Sequence, residues 1–244
     1  MQGHGAGEKS WKTLMGMSLR AVFLQGLWND STLQGPGFAW ALGALNPRKA
    51  HEIMARHMAS FNTTPALAPW LVGAVARLER DEAPPSEVTA VRDSGGAAVA
   101  AVGDRLFLGS IGPSAALAAL AALQLGPLAA ASFLVGMQIV PQAVFRLLGI
   151  RKGFDKGKGA ISECIAAARR ALAIWSFVGP VLLGAFAGAV LVGLHRGYGT
   201  GGALVALGAV PAMAWLISST RARPAAVCVV LLVSSGILSL ILGS

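Results

Sequence analysis

The side chains best suited to chemistry in this sequence are polar groups that adjoin apolar runs. Gln25, Trp28 and Asn29 lie within one five-residue stretch. Two amides beside an indole suit a sugar, because sugar hydroxyls need both donors and acceptors and the C–H face of a sugar stacks on an aromatic ring. We therefore predict that these three residues contact a hydroxyl-rich ligand.

Three further polar positions each have two interpretations. Asn62 and Thr63 either form a helix junction or supply a second set of hydroxyl-binding groups. Asp104 precedes a run of forty residues without charge, 106–145. An ionisable residue at membrane depth is by default a functional-site hypothesis, but Arg105 could instead neutralise Asp104 at the interface. The predicted substrate-binding set contains six residues: Gln25, Trp28, Asn29, Asn62, Thr63 and Asp104.

Conventional enzyme motifs are missing from the sequence. The four histidines have no metal-ligand spacing, since His51 and His57 would face differently on a helix. No glycine-rich nucleotide loop follows a strand pattern. The sequence therefore predicts no catalytic residue, no metal site and no cofactor.

The composition indicates that these residues are positioned by membrane helices. Hydrophobic residues make up 55% of the 244-residue chain, charged residues 13%, and the mean hydropathy is +0.63. Soluble domains usually carry about 25% charged residues. The net charge of +9 does not indicate a nucleic-acid partner, because the basic residues punctuate apolar runs instead of forming a stripe. We predict an all-α integral membrane protein.

Three transmembrane helices are predicted in the C-terminal part, at 171–194, 202–220 and 225–242. Each run approaches the roughly 20 residues that cross a bilayer. The segment 146–170 before them has seven basic and two acidic residues, a net charge of +5. Because cytoplasmic loops are enriched in Lys and Arg, we predict a cytoplasmic N-terminus and an extracytoplasmic C-terminus.

The middle of the chain is predicted to form hairpin or re-entrant helices. The forty uncharged residues suffice for two spans, or for one span and a helical hairpin, with breaks at Gly112-Pro113 and Gly126-Pro127. The piece 114–124 is short for a span, which favours the hairpin or re-entrant alternative.

The N-terminal third is predicted to be amphipathic. Apolar residues recur at helical spacing, which indicates either an interfacial helix or a helix packed on a partner. The residues of this face are Met15, Leu19, Val22, Phe23 and Leu27.

Three more segments follow in this third of the chain. A basic helix is predicted from Pro47 to Asn62, with Phe61 on its apolar side, and Thr64-Pro65 is predicted to cap the next helix. The apolar segment 66–75 is predicted to be re-entrant or buried, and 77–92 to be a solvent loop. We divide the chain into an amphipathic/re-entrant region (1–104), a hairpin region with a basic cytoplasmic segment (105–170) and C-terminal transmembrane helices (171–244).

Four stretches, in this order, resemble the IID component of the mannose/fructose/sorbose-type phosphotransferase system. Two are Arg20-Ala-Val-Phe-Leu-Gln-Gly-Leu-Trp-Asn29 and Arg56-His-Met-Ala-Ser-Phe-Asn-Thr-Thr-Pro65. The others are Gly103-Asp104 with Phe107, Gly109 and Pro113, and the stretch 149–157 that ends Gly153-Phe-Asp-Lys-Gly157. The resemblance runs from about Ser18 to the end of the chain.

The resemblance implies a multi-pass subunit of the bacterial inner (plasma) membrane. Such a subunit pairs with a IIC membrane subunit in a hetero-oligomer, and soluble IIA and IIB proteins carry the phosphate for uptake of a hexose-type sugar. The IID chain itself is not phosphorylated and is not an enzyme. Its partners would be IIC, IIB and IIA, the sugar and the lipid bilayer.

The sequence departs from the family pattern at several places; one is that the family often has an Arg before the proline that here follows Gly112. The family typically has Gly-Asp-Pro where this chain has Gly103-Asp104-Arg105, and His or Gln where it has Thr64. These departures leave two alternatives to a transporter: a transport-deficient regulatory remnant of such a permease, or a membrane scaffold.

Overall fold

A computed structural model describes residues 3–220 of the chain, and residues 201–220 by their backbone alone. This part of the chain is helical apart from short connections. Eight α-helices follow in order: α1 Gly3–Val22, α2 Gly35–Leu42, α3 Ala50–His57, α4 Ala68–Arg80, α5 Pro85–Leu106, α6 Gly112–Ala122, α7 Pro127–Lys156 and α8 Gly159–Thr220. Short 3₁₀ helices at Leu24–Leu27, Pro47–Lys49 and Leu123–Leu125, and a π-helical turn at Phe107–Ile111, connect or extend them.

Helix α4 forms the centre of the core. It begins with Pro69 in its first turn, and its residues from Ala68 to Ala76 are all buried. Packing is closest against α7, where a Cβ at Gly73 would collide with the Ile150 carbonyl and a Cβ at Gly153 with the Trp70 carbonyl. Of the two predictions for 66–75, the buried one therefore matches the structure.

The middle of the chain forms a helical hairpin, but its two long arms correspond to the two-span alternative and not to the short hairpin or re-entrant element that the sequence favoured. Helices α5 and α6 run on through the π-helical turn, and a short 3₁₀ turn leads into α7, which packs on α6. Both arms, Pro85–Ala122 and Pro127–Lys156, are long and apolar enough to cross a membrane, and so is Gly159–Gly197. The piece 114–124 is thus the end of a long helical arm, and it looked short only because the Gly-Pro pair suggested a break.

The apolar face that was predicted for the N-terminal helix is exposed and does not pack on the core. Leu19 and Phe23 are each 61% exposed, whereas Met17, Ala21 and Leu24 are buried against the core. Helix α1 therefore uses one apolar strip for packing and leaves a second strip available to lipid or to a partner.

Two predicted boundaries in the N-terminal third are wrong. The basic helix ends at His57, not Asn62, and Phe61 is extended because its backbone pairs with Leu33. The predicted solvent loop 77–92 is mostly helical: α4 continues to Arg80, α5 begins at Pro85, and Arg92 is buried. The predicted cap at Thr64 is also wrong, since Leu67 occupies the N-cap of α4.

The chain divides into two compact units after Ala185. The core described above lies in the first unit. The predicted span 171–194 falls inside the longer apolar helix Gly159–Gly197, and 202–220 is helical after a break at Gly199, where φ is 65°. The predicted span 225–242 lies outside the described residues. The boundaries 1–104, 105–170 and 171–244 stay a prediction.

Candidate functional site

Two irregular segments, the turn 29–34 and the short non-helical stretch 61–64, pair with each other beside the core, and we call them the loop pair. Asn29 and Leu33 exchange backbone hydrogen bonds of 3.1 and 2.8 Å. The Gln34 N–H donates to the Phe61 carbonyl at 2.8 Å, and the Phe61 N–H donates to the Thr32 carbonyl at 3.3 Å. The pairing brings together residues almost thirty positions apart in sequence.

A buried amide side chain holds the two segments of the loop pair together by hydrogen bonds. The Gln34 side chain is 2% exposed; its Nε2 donates to the Thr63 carbonyl at 2.7 Å and its Oε1 accepts from the Thr63 N–H at 3.1 Å. Both backbone groups of Thr63 are thereby satisfied where water has little access. Sequence reasoning missed Gln34, although a lone amide before the apolar helix Gly35–Leu42 was a usable signal.

The loop pair is held against α5 by threonine hydroxyls. Thr63 Oγ1 donates to the Gly96 carbonyl at 3.0 Å. Thr64 Oγ1 lies 2.8 Å from the Asp104 carboxylate and 3.3 Å from the Ala100 carbonyl. Glycine at 103 allows this approach, since a Cβ there would collide with Thr64. Irregular backbone thus lies against a helix arm that is apolar enough to cross a membrane.

The structure brings most of the predicted site residues onto this one framework. Asn29, Asn62, Thr63 and Asp104 belong to the loop pair or to its contacts on α5. Gln25 and Trp28 precede it on and just after the 3₁₀ helix, and the Trp28 N–H donates to the Gln25 carbonyl. Thr63 is buried, and the other five residues are exposed.

The exposed groups differ in how free they are to bind a ligand. Asn29 Oδ1 accepts from the backbone N–H groups of Ser31 and Thr32 at 3.0 and 2.9 Å, so this amide shapes its own turn. The Trp28 ring is 49% exposed and offers a stacking face. The hydrogen-bond partner of Asp104 is the Thr64 hydroxyl, which orients the carboxylate but leaves it accessible. The arrangement can accept and donate hydrogen bonds to a polar, uncharged ligand.

The chain is similar to known proteins over most of its length. Residues 10–195 match the family described as the PTS system mannose/fructose/sorbose family IID component. The chain belongs to this family. The matched residues include the loop pair, Asp104 and the segment 149–157, so the resemblance carried by those motifs is confirmed.

Two relatives of the IID family show the same similarity over part of their length. The sorbose-specific EIID component of Klebsiella pneumoniae is 30% identical over 162 residues, which cover 62% of this chain and 59% of that protein. The mannose-specific EIID component of Escherichia coli (strain K12) is 28% identical over 163 residues, covering 62% and 57%. The chain thus matches less than two thirds of either relative.

Solved structures share the fold of this IID-family chain. A chain of the cryo-EM structure of the mannose transporter ManYZ with microcin E492 aligns over 95% of this chain and 96% of its own length, at TM-score 0.52 and 22% identity. A second membrane protein aligns over 94% and 96%, at TM-score 0.68 and 24% identity. With the long apolar helices, these similarities confirm the predicted all-α, multi-pass membrane fold.

A second polar cluster, at the C-terminal end of α4, was not predicted. The Glu79 carboxylate accepts from Arg56 at 2.5 Å and from His57 Nε2 at 2.9 Å. Burial lowers the pKa of His57 below its ordinary value, and this effect is larger than the rise that the neighbouring Glu79 carboxylate causes. Burial raises the pKa of Glu79, but the hydrogen bonds from Arg56 and His57 together lower it below its ordinary value. A neutral His57 therefore lies beside an ionised Glu79. Within the described residues, no group of three or more His, Cys, Asp or Glu side chains could hold a metal ion.

Proposed function

We propose that this chain is the IID subunit of a mannose-family phosphotransferase sugar permease. It forms the sugar translocation unit with a IIC membrane subunit, and IIB and IIA proteins supply the phosphate that couples uptake. The chain contributes sugar contacts and carries no catalytic residue. Its substrate is a hexose-type sugar.

The observation that carries this proposal is the loop pair beside α5. Irregular backbone at membrane depth is tolerated only where it is buried in protein or lines a cavity. Here the loop pair contacts α5 between Gly96 and Asp104, its Asn62 is exposed, and so is Trp28 directly before it. We propose that these two residues, with Gln25, Asn29 and Asp104, line the sugar route and that Thr63 supports them.

The proposed orientation has the open end of the helical hairpin in the cytoplasm. Lys158 Nζ lies 3.0 Å from Glu87 Oε1, which joins the end of α7 to the start of α5. The basic segment 146–170 is at this end. By the positive-inside bias the N-terminus is then cytoplasmic and the C-terminus extracytoplasmic.

The exposed apolar surface of the helices supports the proposal that the chain binds a membrane partner. Leu147 on α7 and Phe177 on α8 are each 77% exposed. Lipid covers such side chains but gives no hydrophobic drive for helix association, so a IIC-type subunit would have to add packing contacts. The basic segment suits a surface for IIB, although Lys152 and Lys156 there already pair with Glu163.

Co-purification and sugar uptake test the proposal together. The tagged chain should co-purify with the IIC-type product of the adjacent reading frame, and Asn62→Ala should reduce uptake without lowering membrane abundance. Loss of one neutral hydrogen bond weakens apparent affinity roughly two- to tenfold. Ala59→Ser, at an exposed position two residues before the loop pair, is the control. Normal uptake by Asn62→Ala would remove Asn62 from the sugar route.

The Thr64–Asp104 contact favours one alternative, a transport-deficient regulatory remnant. Thr64 is itself a departure from the family pattern, Asp104 directly precedes another at Arg105, and the two residues bind each other at 2.8 Å. In a remnant, the carboxylate would serve only to hold the loop pair. Asp104→Asn, which removes charge and keeps shape, should reduce uptake in a transporter and leave sugar-dependent signalling unchanged in a remnant.

A further inference from the structure

A cavity of about 580 Å³ opens at the end of the molecule that carries the basic segment. Its wall combines residues of α1, α3, α4, α5 and the end of α7. The α5 residues in this wall, Val88 and Thr89, precede Gly96, the first α5 residue that the loop pair contacts, by at least seven positions, about 10 Å along a helix. The cavity is therefore separate from the loop pair, and its volume is in the range of small-molecule sites.

Charged side chains of both signs line the cavity in equal number. The cations are Lys49, Arg56 and Arg80, and the carboxylates are Glu52, Glu79 and Glu82. Several are held in place: Arg56 lies between Glu52 and Glu79 at 2.7 and 2.5 Å, and the Arg80 guanidinium lies 4.5 Å from the centre of the Phe154 ring. A wall with balanced charge does not favour a strongly charged ligand, and it offers both donors and acceptors to an uncharged one.

A buried acceptor in this wall has no partner. His57 is 2% exposed and its Nε2–H donates to Glu79, so in the neutral ring Nδ1 is an acceptor. Within the described part of the chain, Nδ1 makes no hydrogen bond. An unpaired buried acceptor is destabilising. Because His57 lies in the cavity wall, a ligand hydroxyl would satisfy Nδ1 once the ring turned toward the cavity.

We propose that this cavity binds a neutral, hydroxyl-rich small molecule of the carbohydrate class, at a site distinct from the loop pair. Ligand hydroxyls donate to His57 Nδ1 and to the carboxylates and accept from Arg80 and Lys49. Occupancy of this site does not require transport, so it can be measured in the absence of IIA and IIB proteins.

Equilibrium dialysis of the full chain in detergent, together with any membrane partner that co-purifies, tests the site. The probes are radiolabelled D-mannose, D-fructose and L-sorbose, each measured separately. His57→Gln keeps a donor for Glu79 and removes the Nδ1 acceptor, and Glu82→Gln changes an exposed wall residue. Each should weaken one saturable component roughly two- to tenfold, the loss expected for one hydrogen bond. Arg151→Ala, on the exposed surface outside the cavity, is the control and should bind like the wild type.

The outcomes separate this site from the loop pair. A component whose affinity falls in Glu82→Gln and is unchanged in Asn62→Ala supports the cavity site, whatever the uptake assays show. If Asn62→Ala abolishes all binding, or if neither cavity variant changes it for any of the three sugars, the proposal is overturned. Tighter binding of D-mannose 6-phosphate than of D-mannose would contradict a neutral ligand.

Discussion

Replacing the buried Gln34 by leucine should loosen the loop pair and lower the stability of the protein. Gln34→Leu removes two hydrogen bonds and leaves the N–H and C=O of Thr63 unpaired in a buried place. Each unpaired buried group costs about 1–3 kcal/mol, and burial of the apolar leucine offsets about 1–2 kcal/mol. We expect a net loss of about 2–4 kcal/mol in the free energy of unfolding.

The matched control for this change is Gln25→Leu. Gln25 is exposed on the neighbouring 3₁₀ helix, so the same substitution there leaves no buried group unpaired. For a protein of this size, 1 kcal/mol shifts the melting temperature by about 2–4 °C. Melting followed by size-exclusion chromatography of heated, detergent-solubilised protein should place Gln34→Leu about 5–15 °C below Gln25→Leu. Melting temperatures within about 2 °C of each other would refute the conclusion that the Gln34 side chain stabilises the loop pair.

Three further predictions follow from the packing and the charges. Gly153→Ala should sharply lower membrane abundance on immunoblots, because a Cβ there collides with the α4 backbone, whereas Gly136→Ala, which has open space, should leave abundance unchanged or slightly raised. Stability should fall as the pH drops below about 6.5, because the lowered pKa of His57 means that the unfolded chain binds its proton more readily than the folded one. His57→Gln should flatten that part of the stability profile between pH 5 and 7, and an unchanged slope would contradict a neutral buried His57. Thr64→Val should lower the melting temperature more than Thr89→Val at an exposed position of α5, because only Thr64 contacts Asp104.

Composition was sufficient to predict the membrane class and the helices. Charge content and apolar run length depend only on local sequence, so the apolar stretch of the hairpin and the span within Gly159–Gly197 could be anticipated, whereas the start of the first arm was predicted as a solvent loop. Helix ends in the N-terminal third were harder. Phe61 has the right spacing for the apolar side of α3, yet its backbone pairs with Leu33, twenty-eight residues earlier.

The candidate site could also be predicted only in part, because its contacts join segments that are distant in sequence. Residue type identified polar positions such as Asn62 and Asp104, because amides and carboxylates are uncommon beside apolar runs. No local pattern shows that Thr64 reaches Asp104 or that Gln34 binds the backbone of Thr63, since both contacts join distant segments. The same holds for the polar cavity, whose wall combines five helices.

The most direct test of the role of this chain in sugar transport compares cells that contain the chain with cells that lack it. Cells that carry the IIA, IIB and IIC proteins of the same system are supplied with radiolabelled hexose, with and without this chain, and intracellular sugar phosphate is measured. Sugar phosphate should accumulate only when the chain is present, and markedly less should accumulate when Asn62→Ala replaces the wild type at equal membrane abundance. Equal accumulation in cells that lack the chain would contradict a role in sugar transport.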